Sequence, residues 1–216
     1  RQRNQFATLT NMALAALLWL VATGRFGGRR AWLGWAAAAL LMAGNAASSS
    51  RTGLLQLVLL CALAWLWGGW RQPALRRVLL AAVLAYALAA VLLPWLAGFG
   101  LFGHDAFARL RAGDRLCASR LTLWANVLHL IAQHPWLGWG WGQLAYAHYI
   151  TLYDGPRFCE ILDNAHNLPL QLAVTLGIPA ALLVCGGFVW WAWRQKPWTE
   201  ADPTRRMAWA ILAVIG

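Results

Sequence analysis

Long runs of apolar residues constrain the fold of this chain more than any other feature of its sequence. Five such runs are complete, and a sixth has begun where the 216 residues end. A helix of about 18 residues is about 27 Å long, which matches the hydrocarbon thickness of a bilayer. The pattern therefore predicts an all-α, polytopic α-helical membrane protein with about six transmembrane helices. The predicted helices span residues 6–24, 31–47, 53–70, 78–98, 168–193 and 207–216, the last of them truncated.

The predicted organisation has three parts. Residues 1–98 form four transmembrane helices with short loops, and residues 99–167 form one long loop with short helices of its own. Residues 168–216 then supply a transmembrane helix, a cytoplasmic loop and the start of a further helix. Because the chain begins with Arg1 rather than methionine and stops inside an apolar run, we interpret it as a piece of a longer protein.

Basic residues indicate which way the chain crosses the membrane. Ten of its 18 lysine and arginine residues lie in three alternate short loops, at residues 25–30, 71–77 and 194–206. Short loops rich in these residues face the cytoplasm. The sequence therefore predicts a multi-pass protein of the bacterial inner membrane whose long loop faces the periplasm. The same distribution argues against a nucleic-acid partner despite the net charge of +11, because the charge marks topology rather than a binding face.

The long loop, residues 99–167, holds most of the polar chemistry of the chain. All five histidines and five of the seven acidic residues lie in it. A connection of this length without structure is unusual, so we expect helices within it. Ser119 can cap a helix from Arg120 to about His134, which the following proline would stop. A glycine- and tryptophan-rich turn at residues 135–142 is suited to a membrane interface, and a second short helix is expected at about residues 143–153.

Cysteines and histidines of the long loop raise the questions of a disulfide and of a metal site. Cys117 and Cys159 both lie in this loop, where an oxidising compartment permits a bond, and the sequence leaves a disulfide and two free thiols both open. No two histidines stand three or four residues apart, and no cysteine or acidic cluster completes a set of ligands. We therefore predict no metal held by these histidines and no cofactor.

Three outward-facing motifs carry residues able to act on a substrate, and the first of them is Arg1-Gln2-Arg3-Asn4-Gln5-Phe6. Arg51 lies in a very short turn between two spans, at headgroup depth, where a planar guanidinium is suited to a phosphate or pyrophosphate. The structural alternative is a snorkelling residue that contacts ordinary lipid. His166 lies where the long loop re-enters the membrane, at the positive start of a helix that would disfavour its protonation and leave it able to accept a proton. Its structural alternative is a histidine that only bonds the loop to a span.

Taken in order along the chain, a set of motifs resembles those of the O-antigen ligase family, and within it the bacterial protein O-oligosaccharyltransferases. The motifs are Gln2-Arg3-Asn4-Gln5-Phe6-Ala7, Ser50-Arg51-Thr52-Gly53, Arg120 with Trp124, His134-Pro135-Trp136-Leu137-Gly138-Trp139-Gly140, and Ala165-His166-Asn167-Leu168 followed by Leu176-Gly177-Ile178-Pro179. Each motif is weak alone, whereas the ordered set is more specific. The resemblance covers nearly the whole chain but only about the later half of a family member.

The resemblance implies a glycosyltransferase that moves a glycan from undecaprenyl-pyrophosphate to a hydroxyl on the periplasmic side, without nucleotide sugar or metal and with inversion at the anomeric carbon. The acceptor would be a Ser or Thr hydroxyl of a protein such as pilin. Carried over by motif, His166 is the candidate catalytic base. The candidates for binding the pyrophosphate or the glycan are Arg51, Arg120, Arg3 and Asn167. Family members often have a glutamate just before the glycine of the Leu-Gly pair, where this chain has Thr175 nearby, so no role of that carboxylate is carried over.

Alternatives stay open at the level of sequence. Within the family, an O-antigen ligase acting on lipid A core and an O-antigen polymerase are hard to separate from the protein transferase. Outside it, a membrane transporter or flippase would place ionisable side chains near the middle of the membrane, whereas the predicted spans hold none. A membrane assembly factor whose loop only binds a partner would keep its activity after charge-neutral changes at His166 and Arg51.

Overall fold

The computed structural model describes residues 3–26, 28–98 and 116–215, and the regular secondary structure in those ranges is entirely helical. In chain order the α-helices are α1 (Arg3–Ala22), α2 (Ala31–Ala47), α3 (Arg51–Leu66), α4 (Pro73–Gly98), α5 (Arg120–Gln133), α6 (Leu144–Ile150), α7 (Leu168–Leu176), α8 (Ile178–Arg194) and α9 (Pro203–Ile215). The predicted all-α class is confirmed for these residues. The first part of the long loop, with His104, lies outside the described residues.

Two compact units make up the chain. The first comprises residues 1–111 and 196–216, with α1 to α4 and α9, and the second comprises residues 112–195, with α5 to α8. Each unit has a hydrophobic core of its own. Every helix of the first unit contributes a buried apolar side chain to its core. Examples, one from each helix, are Leu14, Met42, Leu60, Val78 and Val214.

A buried polar network ties three helices of the first unit together. The Asn11 side-chain amide on α1 donates to the Gly53 carbonyl at 3.0 Å and to Gln56 Oε1 at 3.1 Å, both on α3. Gln56 Nε2 in turn donates to the Val214 carbonyl of α9 at 2.7 Å. Hydrogen bonds in apolar surroundings are costly to break, so this network fixes the height and rotation of α3 against α1. It therefore also fixes Arg51, the first residue of α3.

The second unit is built around α5, whose two ends confirm the sequence prediction. The Ser119 hydroxyl accepts a hydrogen bond from the Thr122 N–H at 3.2 Å and so caps the helix. The helix ends at Gln133, just before Pro135. Apolar side chains at helical spacing turn inward towards α6 and α7. The buried residues of this core include Leu123, Val127, Leu130, Ile131, Leu144 and Val174.

Two of the described helices are long and apolar enough to cross a membrane, Arg3–Ala22 with 20 residues and Pro73–Leu93 with 21. The predicted count of six transmembrane helices is therefore not confirmed. α2 and α3 match predicted apolar runs, but they have only 17 and 16 residues, or roughly 24–26 Å of helix. The run at residues 168–193, interpreted from sequence as one span, is divided into α7 and α8.

The division between α7 and α8 lies at Gly177, whose φ of +89° ends one helix and starts the next. The turn at residues 135–142 packs its backbone against this break. The Ile178 N–H donates to the Pro135 carbonyl at 2.7 Å, which gives the first N–H of α8 a partner outside the helix. Backbone groups freed by a break in an apolar helix need such partners, and here a segment some 40 residues earlier in the chain provides them.

The two segments approach so closely that glycine is needed on both sides. The Trp139 N–H donates to the Val174 carbonyl at 2.8 Å, which holds the turn against the end of α7. A Cβ atom at Gly138 would overlap the backbone around Gly177, and a Cβ atom at Gly177 would overlap the backbone of Trp136. Gly138 also has a positive φ, of +68°. This contact explains in physical terms why two separate glycine-containing motifs occur in the sequence.

We expect Gly138→Ala and Gly177→Ala each to destabilise the protein, because the new Cβ meets backbone atoms and both residues hold positive φ values. An alanine forced into such a conformation costs roughly 1–3 kcal/mol before any overlap is relieved. Thermal unfolding of the full-length protein in detergent should show a lower midpoint for both variants. Gly186→Ala is the matched control, since its Cβ would meet open space on α8. Equal midpoints for all three variants would contradict the close approach.

Candidate functional site

His166 lies in the turn that leads from the long loop into α7, and its imidazole is exposed. Its φ is +50°, a left-handed value that is uncommon for a residue with a side chain. The Asn164 side chain stabilises this turn by accepting a hydrogen bond from the His166 N–H at 2.8 Å. Asn167 then caps α7, since its Oδ1 accepts from the Leu170 N–H at 3.2 Å. Asn167 therefore caps α7, whereas Asn164 closes the turn before the helix instead of capping it, and the imidazole stays outside the helix.

Ala165, directly before His166, is completely buried and is held from two sides. Its carbonyl accepts a hydrogen bond from Trp124 Nε1 on α5 at 3.0 Å. Its N–H donates to Gln171 Oε1 on α7 at 2.8 Å. Two side chains from different helices therefore fix the peptide units on either side of Ala165. Trp124 belongs to one of the motifs found in the sequence. Gln171 lies in no motif, and no local pattern of the sequence indicates its role.

Arg120 is the first residue of α5 and is exposed. It precedes Trp124 by four residues, and this spacing places both side chains on one face of the helix. Because Trp124 bonds to the residue before His166, the helix that carries Arg120 is hydrogen-bonded to the His166 turn. Arg120 and His166 both belong to the second unit.

Arg51 and Arg3 belong to the first unit, where they start α3 and α1. A hydrogen bond of 2.8 Å, in which the Ser50 hydroxyl donates to Asn4 Oδ1, joins the direct neighbours of these two arginines. Ser50 Oγ also accepts from the Gly53 N–H and so caps α3. Two motifs that are 46 residues apart in sequence therefore meet, and both guanidinium groups are exposed there.

The arginines differ in whether their side chains form hydrogen bonds or ion pairs within the protein. Across the described ranges, the side chains of Arg3, Arg51 and Arg120 make no ion pair or hydrogen bond with the protein. Arg157 of the long loop, by contrast, donates to the His148 carbonyl at 2.7 Å and so stabilises the loop. A guanidinium without a hydrogen bond or ion pair of this kind is available to bind a phosphate group in the bidentate manner typical of arginine.

His148, a second histidine of the long loop, is buried and structural. Its Nε2 lies 3.1 Å from the Phe158 carbonyl, which can only accept, so Nε2 carries the proton. Its Nδ1, 2.8 Å from the Tyr153 hydroxyl, then accepts from that group. Burial lowers the pKa of His148, and the positive charge of Arg157 adds to this, while the bond to Phe158 opposes it. Burial also raises the pKa of Tyr153 to about 12.

Cys117 and Cys159 are joined by a disulfide in the structure, with Cα atoms 5.3 Å apart. The Cys159 N–H also donates to the Cys117 carbonyl at 3.2 Å. The bond links residues 42 positions apart, one just before α5 and the other a few residues before His166. The segments that carry Arg120 and His166 are therefore connected covalently as well as by hydrogen bonds.

Metal binding finds no support in the part of the chain that the structure describes. No group of three or more histidine, cysteine, aspartate or glutamate side chains there has the geometry to hold an ion. Three such residues of the long loop, His104, Asp105 and Asp114, lie outside the described ranges. The expectation of a metal-independent protein therefore stays a prediction.

Comparison with known proteins gives two family matches. Residues 36–185, more than half of the chain, match the family model described as O-antigen ligase. Residues 1–21 match a model described as protein glycosylation ligase. No solved structure matches the chain.

Two curated relatives come from Acinetobacter baylyi. The chain is 27% identical to a ComP-specific O-oligosaccharyltransferase over 146 residues, which are 67% of this chain and 26% of that protein. It is also 27% identical to a general O-oligosaccharyltransferase over 211 residues, which are 89% of this chain and 34% of that protein. The chain therefore spans about a quarter to a third of the length of these relatives.

The His148 site predicts that the protein loses stability in mild acid. Because its pKa is lowered by folding, the unfolded chain binds more protons than the folded chain once the pH falls below the ordinary value of 6.5. The contribution of neutral His148 to the free energy of unfolding is complete above pH 6.5. It is lost as the pH falls towards the lowered pKa of His148. We expect the unfolding midpoint to drop between about pH 7.5 and about pH 5.5, and to drop less in His148→Gln. The same drop of the midpoint in the wild type and in His148→Gln would contradict this role.

The disulfide makes a second prediction. Mass spectrometry after alkylation without reductant should find Cys117 and Cys159 as a bonded pair, with Cys61 and Cys185 as thiols. Closing a loop of this length stabilises a protein by about 4 kcal/mol in the chain-entropy description, so Cys117→Ser should lower the unfolding midpoint markedly. Cys185→Ser, which removes a free thiol on α8, is the matched control. Alkylation of both Cys117 and Cys159 in native protein would show that the bond is absent.

Proposed function

The chain belongs to the O-antigen ligase family, and from that membership we propose that it provides the active site of a lipid-linked glycan transferase. The family and the curated relatives support a glycan-transferring ligase. In the more detailed proposal, a glycan moves from undecaprenyl-pyrophosphate to a Ser or Thr hydroxyl of a protein such as pilin, on the periplasmic side of the bacterial inner membrane. Because the chain spans a third or less of its relatives, the activity of the whole protein is part of the proposal.

The observation that carries the proposal is an exposed imidazole in a turn held by hydrogen bonds, in the unit that also carries the exposed guanidinium of Arg120. In the proposed reaction, His166 accepts the proton of the acceptor hydroxyl while the hydroxyl oxygen attacks the anomeric carbon of the glycan. The bond from that carbon to the pyrophosphate oxygen breaks, undecaprenyl-pyrophosphate leaves, and the anomeric configuration inverts. A base positioned in this way typically contributes about 10²- to 10⁴-fold to the rate.

Arginines supply the second part of the proposed chemistry. Negative charge develops on the departing pyrophosphate, so fixed guanidinium groups stabilise the transition state more than the bound donor. Arg120, in the unit that carries His166, is assigned to this role, and Arg51 and Arg3 are proposed as phosphate-binding residues of the first unit. Asn167 uses its Oδ1 to cap α7, so its Nδ2 group is the part that can donate to a glycan or phosphate oxygen. Positive charge from side chains removes the need for a metal ion.

A protein acceptor is favoured over a lipid acceptor by the match of residues 1–21 to a protein glycosylation ligase and by two relatives that are O-oligosaccharyltransferases. Lipid A core is the second candidate acceptor, which the match of residues 36–185 to O-antigen ligase favours. The match to ligases also weighs against the transporter or flippase alternative.

Six helices cross the inner membrane in the proposed arrangement. They are α1, α2, α3, α4, α8 and α9, with α7 outside the hydrocarbon layer. Two observations support this placement: the basic residues in alternate short loops, and the apolar, mostly exposed surface of α8. In this arrangement the long loop, with the His166 turn, faces the periplasm.

The test is complementation of a glycosylation-deficient strain with the full-length gene, read from the gel mobility of pilin and of lipopolysaccharide. His166→Ala should reduce transfer by about 10²- to 10⁴-fold at a normal level of inserted protein, because the hydroxyl loses its base. His129→Ala, in the same loop, is the matched control and should transfer as the wild type does. Arg120→Gln should reduce transfer more than Arg120→Lys, which keeps the charge.

Two outcomes of this experiment would change the proposal. Wild-type transfer by a normally inserted His166→Ala protein would remove His166 as the base. A mobility shift of lipopolysaccharide without a shift of pilin would replace the protein acceptor by lipid A core.

A further inference from the structure

We propose that Trp124 and Gln171 are positioning residues that set the direction of the His166 imidazole by clamping the two peptide units around Ala165. This inference rests on the proposed role of His166 as a base and concerns how the fold holds that base. Neither residue would touch the substrate, since each reaches His166 through hydrogen bonds to the backbone.

The His166 imidazole needs support through its backbone, because it lacks the hydrogen bond that usually orients a catalytic imidazole. A catalytic imidazole is normally oriented by a hydrogen bond to the ring nitrogen that does not react. In the ranges that the structure describes, no group forms a hydrogen bond to either ring nitrogen of His166. His148 shows the contrast, since Tyr153 and Phe158 hold both of its nitrogens. The direction of the His166 side chain therefore depends on the backbone from which it starts.

That backbone has to be held in place. A residue other than glycine keeps a φ of +50° only where its surroundings enforce the conformation. Asn164 bonds the His166 N–H, and Asn167 caps the helix that follows. The carbonyl of the peptide unit that joins Ala165 to His166 is bonded by Trp124. Loss of the indole N–H would leave this unit held only by the bond from the His166 N–H to Asn164, and a rotation of the unit would turn the imidazole with it.

Gln171 holds the other side of the same residue. Its Oε1 accepts the Ala165 N–H at 2.8 Å, so the peptide unit before Ala165 is fixed from α7 while the unit after it is fixed from α5. Ala165 is completely buried, so water cannot replace either partner without opening the turn. The two bonds together hold the backbone from which the His166 side chain starts.

Trp124 also connects the His166 turn to the helix that carries Arg120. It lies one turn after Arg120 on the same face of α5, so the bond that fixes the His166 backbone also fixes the helix that carries the guanidinium. In the proposed reaction the imidazole acts on the acceptor hydroxyl and the guanidinium on the pyrophosphate. The clamp therefore sets the relative position of the two groups, which is the geometric requirement of a transfer reaction.

The second unit contains a matched control for Trp124. Trp139 also packs against the core of this unit, and its Nε1 donates to the Leu130 carbonyl at 2.9 Å, in the body of α5. Replacement of either tryptophan by phenylalanine removes one indole hydrogen bond and keeps an aromatic ring. A role in stability alone predicts similar effects of the two changes on transfer, whereas the clamp predicts an effect on the reaction from Trp124 only.

The experiment uses full-length protein in proteoliposomes, a synthetic undecaprenyl-pyrophosphate-linked disaccharide as donor probe, and the acceptor that complementation identifies. Trp124→Phe should lower kcat by about ten- to a hundredfold, the scale of a misplacement of about 1 Å, and leave KM for the donor nearly unchanged. Trp139→Phe should keep the wild-type kcat. Unfolding midpoints of the two variants, measured in parallel, separate a loss of positioning from a loss of folded protein.

Gln171 provides a test by conservative rescue. Gln171→Glu keeps an oxygen that accepts the Ala165 N–H and should retain most of kcat. Gln171→Met has a similar length without an acceptor oxygen and should lower kcat in the same way as Trp124→Phe. A role of Gln171 in packing alone predicts the opposite order, because methionine is the better apolar substitute.

His166→Ala in the same assay separates the two proposals. If it is inactive while Trp124→Phe and Gln171→Met turn over like Trp139→Phe, the clamp is overturned and the role of His166 stands. If His166→Ala transfers at the wild-type rate, His166 is not the base of the proposed reaction, and the catalytic role of the clamp fails with it. Loss of kcat in Trp124→Phe and Gln171→Met, with kcat kept in Trp139→Phe and Gln171→Glu, supports the clamp.

Discussion

Backbone N–H and C=O groups in so apolar a chain have to be paired within the protein, and this requirement governs both where the helices run and where they stop. Inside a helix the pairing is local. At Gly177 the helical pattern is interrupted, and the turn at residues 135–142 supplies partners from far away in the sequence, including the Pro135 carbonyl for the Ile178 N–H. At Ala165, where the chain is buried but not helical, two side chains supply them. The candidate site thus lies beside a region whose backbone is paired without helix or sheet.

The motifs that suggested a function meet in pairs within each unit. In the first unit the Ser50–Asn4 hydrogen bond joins the motif with Arg51 to the motif with Arg3. In the second unit the bond from Trp124 to Ala165 joins the helix with Arg120 to the turn with His166. In both cases the residue that makes the contact is the neighbour of the functional residue or lies one turn from it. These neighbours make the contacts that hold the two segments together, whereas the guanidinium and imidazole groups form no hydrogen bond within the described residues.

Sequence predicted the elements that local patterns determine and missed those that distant segments determine. Ser119 and Pro135 mark the two ends of α5 within a few residues, so that helix was predicted closely. The apolar run at residues 168–193 contains no comparable local signal for a break, because Gly177 is tolerable within a span and its partner turn lies elsewhere. The position of His166 at the start of a helix could be predicted from a short motif. Its dependence on Trp124 and Gln171 could not, since neither hydrogen bond follows from spacing or composition, and the same holds for the buried bonds of His148.

The close approach at Gly138 and Gly177 has a consequence for how sequences of this kind can diverge. Many contacting pairs in proteins tolerate exchange, because a larger residue at one position is offset by a smaller one at the other. Here the obstacle to a side chain at either position is the backbone of the opposite segment, which no substitution can shrink. The two positions, 39 residues apart, therefore cannot compensate for each other. A related sequence that keeps this contact therefore has to keep glycine at both positions. We expect the two positions to be invariant together and not to covary.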